Sequence, residues 1–160
     1  MEIADQLRAA WNPYQDSIRS NLRVLANAPM PDECDFLWFV LYPHDMEGFP
    51  IMVWPTERNQ QQHDGWEREY DLMRSVPDTV QLPEGAGSTV ESLDELRDAT
   101  AEYLKEQWNA IDIPSNRLAY FSLYDDGFYF SLQDGRKISA WDIKTEIGEQ
   151  AGSCDAEEAV

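Results

Sequence analysis

Seven consecutive residues, Phe36-Leu37-Trp38-Phe39-Val40-Leu41-Tyr42, are apolar at both parities. A half-exposed strand alternates apolar and polar side chains, so a run without alternation belongs on a strand buried on both faces, central in its sheet. Asp32, Glu33 and Asp35 precede the run, and Pro43 and Asp45 follow it. These charges and prolines guard a segment that would otherwise aggregate. Beyond Gly48, Ile51-Met52-Val53-Trp54 reads as a second strand stopped by Pro55, and the two runs together predict a hairpin.

Helical periodicity frames this hairpin. Ile3, Leu7, Trp11, Tyr14, Ile18, Leu22 and Leu25 recur at steps of three and four and form one stripe. Pro13 interrupts it, with Asn12 as an N-cap and Gln15 completing a capping box, which predicts either a short helix followed by a longer one or a single kinked helix, ending before Pro29. Asp64-Gly65-Trp66-Glu67 resembles a second capping box, with Trp66, Tyr70 and Met73 on one helical face before Pro77. Residues 77–88 read as a loop. Ser88-Thr89-Val90-Glu91 then opens the clearest helix in the chain, running to about residue 111 before Pro114. Leu93, Leu96, Thr100, Tyr103, Leu104, Gln107, Trp108 and Ile111 mark its inward stripe, while Glu91, Asp94, Glu95, Asp98, Glu102 and Glu106 crowd the remainder.

A meander follows. Asp126-Gly127 and Asp134-Gly135 are hairpin signals between alternating segments. A two-residue turn at 126–127 pairs Leu123 with Phe130 and Phe121 with Leu132. A three-residue loop at 133–135, with Gly135 left-handed, places Phe130 opposite Ile138 and Phe128 opposite Ala140. This register keeps one face apolar across all three strands. The opposite face then presents Tyr120, Ser122, Tyr124, Tyr129, Ser131, Ser139 and Trp141.

The fold class expected is α+β: an antiparallel sheet of about five strands, hairpin 36–54 plus meander 118–141, with three to four helices packed mainly on one face. Residues 1–147 form a single domain in this reading, and 148–160 an acidic C-terminal tail. At 160 residues the chain buries enough surface to fold without a metal or a disulfide framework. Cys34 and Cys154 are its only cysteines. A basic, apolar leader is absent from Met1-Glu2-Ile3-Ala4-Asp5, and no apolar run approaches the roughly twenty residues of a membrane helix. A soluble, cytoplasmic protein is expected.

Charge narrows the partners. Thirty-one acids against twelve bases give −19. Residues 1–30 hold three of each, so 28 acids and nine bases in the rest carry the whole imbalance. Such a field repels nucleic-acid phosphates and anionic lipid, and it steers a basic protein partner inward. The same acidity also serves solubility or a saline environment.

Two surfaces are candidates for binding. One is the Tyr/Ser/Trp face of the meander, above all Tyr120, Tyr124, Tyr129, Ser131 and Trp141, because these residue types combine rigid contact area with adaptable hydrogen bonding. The competing reading is that this face packs against a helix or the remaining strands, with its hydroxyls satisfied internally. The other is the acidic face of the long helix, Glu91, Asp94, Glu95, Asp98 and Glu102. Catalytic and metal signatures are thin. His44 and His63 each sit beside an aspartate but lack ligand spacing. Cys34 with His44 or His63 is a conceivable dyad, though a cysteine opening a strand packs as a small core residue. Gly85-Ala86-Gly87-Ser88-Thr89 has neither the lysine nor the preceding strand of a phosphate loop. No catalytic residue, metal or cofactor is assigned.

The element order and acidity resemble those of small bacterial immunity-type proteins, which neutralise toxins by binding. That resemblance is one of plan and composition and carries no residue across. The leading expectation is a non-catalytic acidic protein-binding module, immunity-type or regulatory, engaging a basic partner. The alternative is a small enzyme or ligand-binding protein with an aromatic-lined pocket, in which His44 or His63 titrates.

Overall fold

The computed structural model describes residues 3–29, 31–42, 51–57, 70–73, 90–112, 117–124, 127–143 and 145–147. Its elements, in chain order, are α1 (Ile3–Trp11), a 3-10 turn (Asn12–Tyr14), α2 (Gln15–Asn27), β1 (Phe36–Leu41), β2 (Ile51–Thr56), β3 (Tyr70–Asp71), α3 (Val90–Asn109), β4 (Leu118–Leu123), β5 (Phe128–Ser131) and β6 (Lys137–Ser139). Ile143 and residues 145–147 are also helical.

The single helical stripe of the first 27 residues is realised as two helices because Pro13 lacks the amide that an uninterrupted α-helix needs at that point. The 3-10 turn absorbs the break. No side chain caps α2 at its start, so the expected Asn12 cap is not formed. α3 buries the stripe read from its spacing, with Leu96, Thr100, Tyr103, Leu104, Gln107 and Trp108 all inward.

β1 is central, as its composition requires. Its neighbours correct the expected sheet, which is mixed rather than antiparallel. The order is β3-β2-β1-β4-β5-β6. β1 and β2 pair antiparallel, but β1 and β4 run parallel, in a register from Phe36↔Leu118 to Leu41↔Leu123. The physical reason lies in the connection. β2 occupies one edge of β1, and the chain reaches the other through α3, a crossover that delivers its next strand parallel. β2 also continues through Pro55, expected as a stop. β3 pairs with β2 only at Met52 and Val53, so the ring at Pro55 removes no bond from that ladder.

The helix expected to include Tyr70 and Met73 is likewise replaced. Tyr70–Asp71 is a strand that pairs with β2, and Leu72 N donates to Ile51 O at 2.8 Å. Asp71 Oδ1 accepts from the Met73 amide at 2.9 Å, an aspartate-stabilised turn that competes with helix. Residues 64–69 of that expected helix, the loop at 77–88 and the tail at 148–160 lie outside the described residues.

The meander keeps its three strands but changes both registers. Phe121 faces Phe130, two places from the expected pairing, so residues 124–127 form the first connection. Tyr124 N donates to Leu41 O at 2.9 Å, which holds Tyr124 in the β1 ladder and away from β5. A shift of two leaves every side chain on its expected face. The second change is odd and reverses a strand. Tyr129 faces Ile138, and Phe128 faces Ser139. Residues 132–135 form the loop, closed by Ser131 N to Arg136 O at 2.9 Å and Gly135 N to Ser131 O at 2.8 Å. Gly135 does adopt the left-handed conformation, with φ +78°.

Two apolar clusters result, one on each face. Leu37, Phe39, Leu41, Phe121, Leu123 and Phe130 meet α1, α2 and α3 on the first. Phe36, Tyr120, Tyr129 and Ile138 meet Ile143 and Ile147 on the second. Ile138 is therefore on the tyrosine side, not with Phe128 and Phe130 as expected. Burial of a large aliphatic side chain contributes about 1.5–3 kcal/mol on either face, so hydrophobicity alone did not decide its side.

Candidate functional site

The tyrosine face is interior. Tyr120, Tyr129, Ser122 and Ser131 are all buried. Edge contacts join Phe36 to Tyr120 at 5.4 Å and to Tyr129 at 6.3 Å, and Trp38 lies 5.3 Å from Tyr129. Trp38 Nε1 donates to Ser122 Oγ at 2.6 Å. Burial pushes the Tyr129 hydroxyl up to about 12. Ile143 and Ile147, one helical turn apart, cover this face, and Arg136 pairs with Glu146 to hold the covering segment. Tyr120, Tyr129 and Ser131 thus serve packing, while Tyr124 and Trp141 reach the surface separately. Trp141 lies beyond β6 rather than on the sheet face, and is 93% exposed.

The acidic face of α3 is at the surface and borders a cleft. α3 carries six acids and two bases, a balance of −4. Arg97 turns inward, with its guanidinium 5.5 Å from the Phe130 ring, and pairs with Asp94 at 3.2 Å and Asp98 at 3.1 Å. Glu95, Asp98 and Glu102 follow at helical spacing along the next strip, all exposed. With Ile3, Ala4 and Ala99 they line a cavity of about 480 Å³ between the start of α1 and the middle of α3. The Glu91 side chain lies outside what the structure describes.

Local sequence explains the cleft. At its far end α1 is drawn onto α3 by large and charged groups. Trp11 packs edge-on against Tyr103 at 5.3 Å, and Arg8 makes a two-pronged contact with Glu106 at 2.5 and 2.7 Å. That pairing holds the Glu106 carboxyl below its ordinary value and raises Arg8. Nearer the start, Ala4 and Ala99 provide too little volume to fill the gap. The result is an aliphatic floor rimmed by carboxylates. Such a surface accepts a long basic side chain, whose stem lies on the floor while its charge meets the rim. Among the described residues no three acidic, histidine or cysteine side chains gather closely enough to hold a metal ion. Asp98 is shared with Arg97 and Glu102 lies 3.9 Å from Lys105 Nζ, so Glu95, Asp98 and Glu102 present spread, partly compensated charge, not a chelating set. Spacing in the sequence reveals these three residues. It does not reveal Ile3, Ala4 and Ala99 as the floor, because their role depends on where α1 lies against α3.

Cys34 is partly buried and unsuited to nucleophilic work. Desolvation, followed by the fields of Glu57, Glu33 and Asp35, pushes its thiol up to about 11. His44 and His63 lie outside the described residues. No helix among those described is long and apolar enough to cross a membrane. No family model, curated protein or solved structure matches this chain.

Proposed function

We propose that this protein is a non-catalytic binding module, immunity-type or regulatory, that engages a locally basic protein partner through the acidic face of α3. The observation that carries the reading is the cleft where Glu95, Asp98 and Glu102 stand over Ile3, Ala4 and Ala99. An aliphatic floor under unchelated carboxylates suits lysine and arginine side chains of a folded partner. It suits the alternative, a ligand or substrate pocket lined by aromatics, less well. The net charge of −19 adds long-range steering toward the same kind of partner.

The reading is tested by affinity capture from the native source at low and high salt, with the wild-type chain beside Glu95→Gln/Asp98→Asn/Glu102→Gln. A partner retained at low salt by the wild type, released at high salt and missed by the variant supports it. Capture indifferent to both salt and the variant overturns it.

A further inference from the structure

That reading leaves one group of exposed side chains unused. Four large apolar residues are exposed among those described, and three of them, Tyr124 (54%), Phe128 (37%) and Trp141 (93%), surround the β4–β5 connection. The backbone fixes two of them on opposite sides of it. Tyr124 is tied to the end of β1 by its amide bond to Leu41, and its ring stacks on Tyr42 at 4.8 Å. Ala140 N donates to Gly127 O at 2.8 Å and brings Trp141 alongside the other flank. Between them Gly127 faces open space, with nothing within 4 Å of where a Cβ would stand.

The charges at this end are already sorted. Lys137 lies 4.2 Å from the Phe128 ring centre and 5.9 Å from that of Phe130, so those rings have their cation. Trp141 has no ring or cation partner among the described residues. Asp142, next to it, is held by a turn in which its amide donates to Ser139 O and its Oδ2 accepts from Ser139 Oγ, both at 3.0 Å. No described cation faces that carboxylate.

We propose that this end of the sheet docks an arginine-bearing segment of the basic partner, with one guanidinium laid on the Trp141 ring and paired to the adjacent Asp142, and a second on the Tyr124 ring across the connection. The inference rests on the reading of a basic partner and adds a second contact away from the cleft. Arginine fits better than lysine because its planar head stacks on a ring while its edge donates to a carboxylate.

The test titrates the full chain with hexa-arginine and hexa-lysine peptides by calorimetry at one low salt concentration. Hexa-arginine is expected to bind more tightly, and Trp141→Ala, Tyr124→Ala and Asp142→Asn each to weaken it about two- to fivefold. Trp141→Ala is also expected to narrow the preference for arginine. Unchanged circular dichroism and denaturation midpoints establish that these variants remain folded. Equal affinity for both peptides, untouched by the three variants, overturns the proposal. So does a wild-type dimer in light scattering that Trp141→Ala dissociates, since a second copy then covers this end. If only Glu95→Gln/Asp98→Asn/Glu102→Gln weakens binding, the cleft reading survives and this one fails. If neither set of variants matters, both fail.

Discussion

Ile138 stands directly opposite Tyr129 across the β5–β6 ladder, and both side chains are buried. This pairing, with Ile143 and Ile147 above it, converts the tyrosine face of the meander from a surface into a second core.

The second core makes Ile147 essential despite its polar neighbours in sequence, Thr145 and Glu146. Ile147 is fully buried against this cluster. Ile147→Ala is expected to cost about 2–4 kcal/mol, the range for emptying a buried aliphatic site. Trp141→Ala, only six residues earlier but almost wholly exposed, is expected to stay within about 0.5 kcal/mol of wild type. Urea denaturation of both variants checks the contrast, and equal midpoints would falsify the burial argument.

How the sequence maps onto this fold depends on which forces act locally. The α3 stripe and its acidic flank were legible because a helix samples its neighbours every three to four residues, all within the same segment. The central position of β1 was legible from its lack of alternation. Its parallel pairing with β4 was not, since an apolar run looks the same whichever direction its neighbour takes. The β6 register at Ile138 is not legible, because the meander's own alternation shows only one apolar face. Ile143 and Ile147, which supply the other face, sit in a segment dominated by Asp142, Lys144, Thr145 and Glu146. Two isoleucines four residues apart were the available signal. In the cleft, the carboxylates could be read from spacing, but the floor could not, because it depends on where α1 lies against α3.

Two glycines give a paired test of the meander turns. Gly135 has φ +78°, and a Cβ there would approach Lys105 Cδ at 3.0 Å. Gly135→Ala is expected to destabilise by about 1–2 kcal/mol, chiefly from the left-handed backbone, since the end of a lysine can move aside. Gly127 has neither constraint, and Gly127→Ala is expected to change stability by less than about 0.5 kcal/mol. Thermal denaturation ranks them, and a reversed order would overturn the left-handed assignment at Gly135.

Along α3 a buried amide is expected to matter more than the neighbouring ion pair. Gln107 is buried, and its Oε1 accepts from Arg19 Nε at 2.8 Å and from Gln15 Nε2 at 3.2 Å. Gln107→Ala removes the acceptor for two donors and is expected to cost about 1–3 kcal/mol. Arg8 and Glu106 remain 34% and 42% exposed, so solvent screens their contact, and Glu106→Gln is expected to cost no more than about 1 kcal/mol. The pH dependence has a definite sign. The folded Glu106 carboxyl titrates below its ordinary value of 4.5. Its contribution is therefore present above that pH and lost as pH falls through the lower, folded value. Denaturation series at pH 7 and pH 3 separate the variants: the small advantage of the wild type over Glu106→Gln should shrink at the lower pH, while its advantage over Gln107→Ala persists.

Cys34 offers the sharpest pH test, because its thiol is pushed from an ordinary 9.0 up to about 11. Burial disfavours the thiolate, and Glu57, Glu33 and Asp35 oppose a further negative charge. Between those two values the folded chain retains a proton that the unfolded chain has released. The folded state therefore binds more protons there, and stability declines as pH rises through that window. Below 9 this group contributes no such slope. Reactivity follows the same logic, since only the thiolate attacks an alkylating reagent. In a Cys154→Ser background, iodoacetamide should modify Cys34 slowly at neutral pH, with the rate climbing toward a midpoint near 11. A midpoint at 9 would mean an unperturbed, accessible thiol and overturn the burial argument, and only a midpoint well below 9 would mark Cys34 as an activated nucleophile.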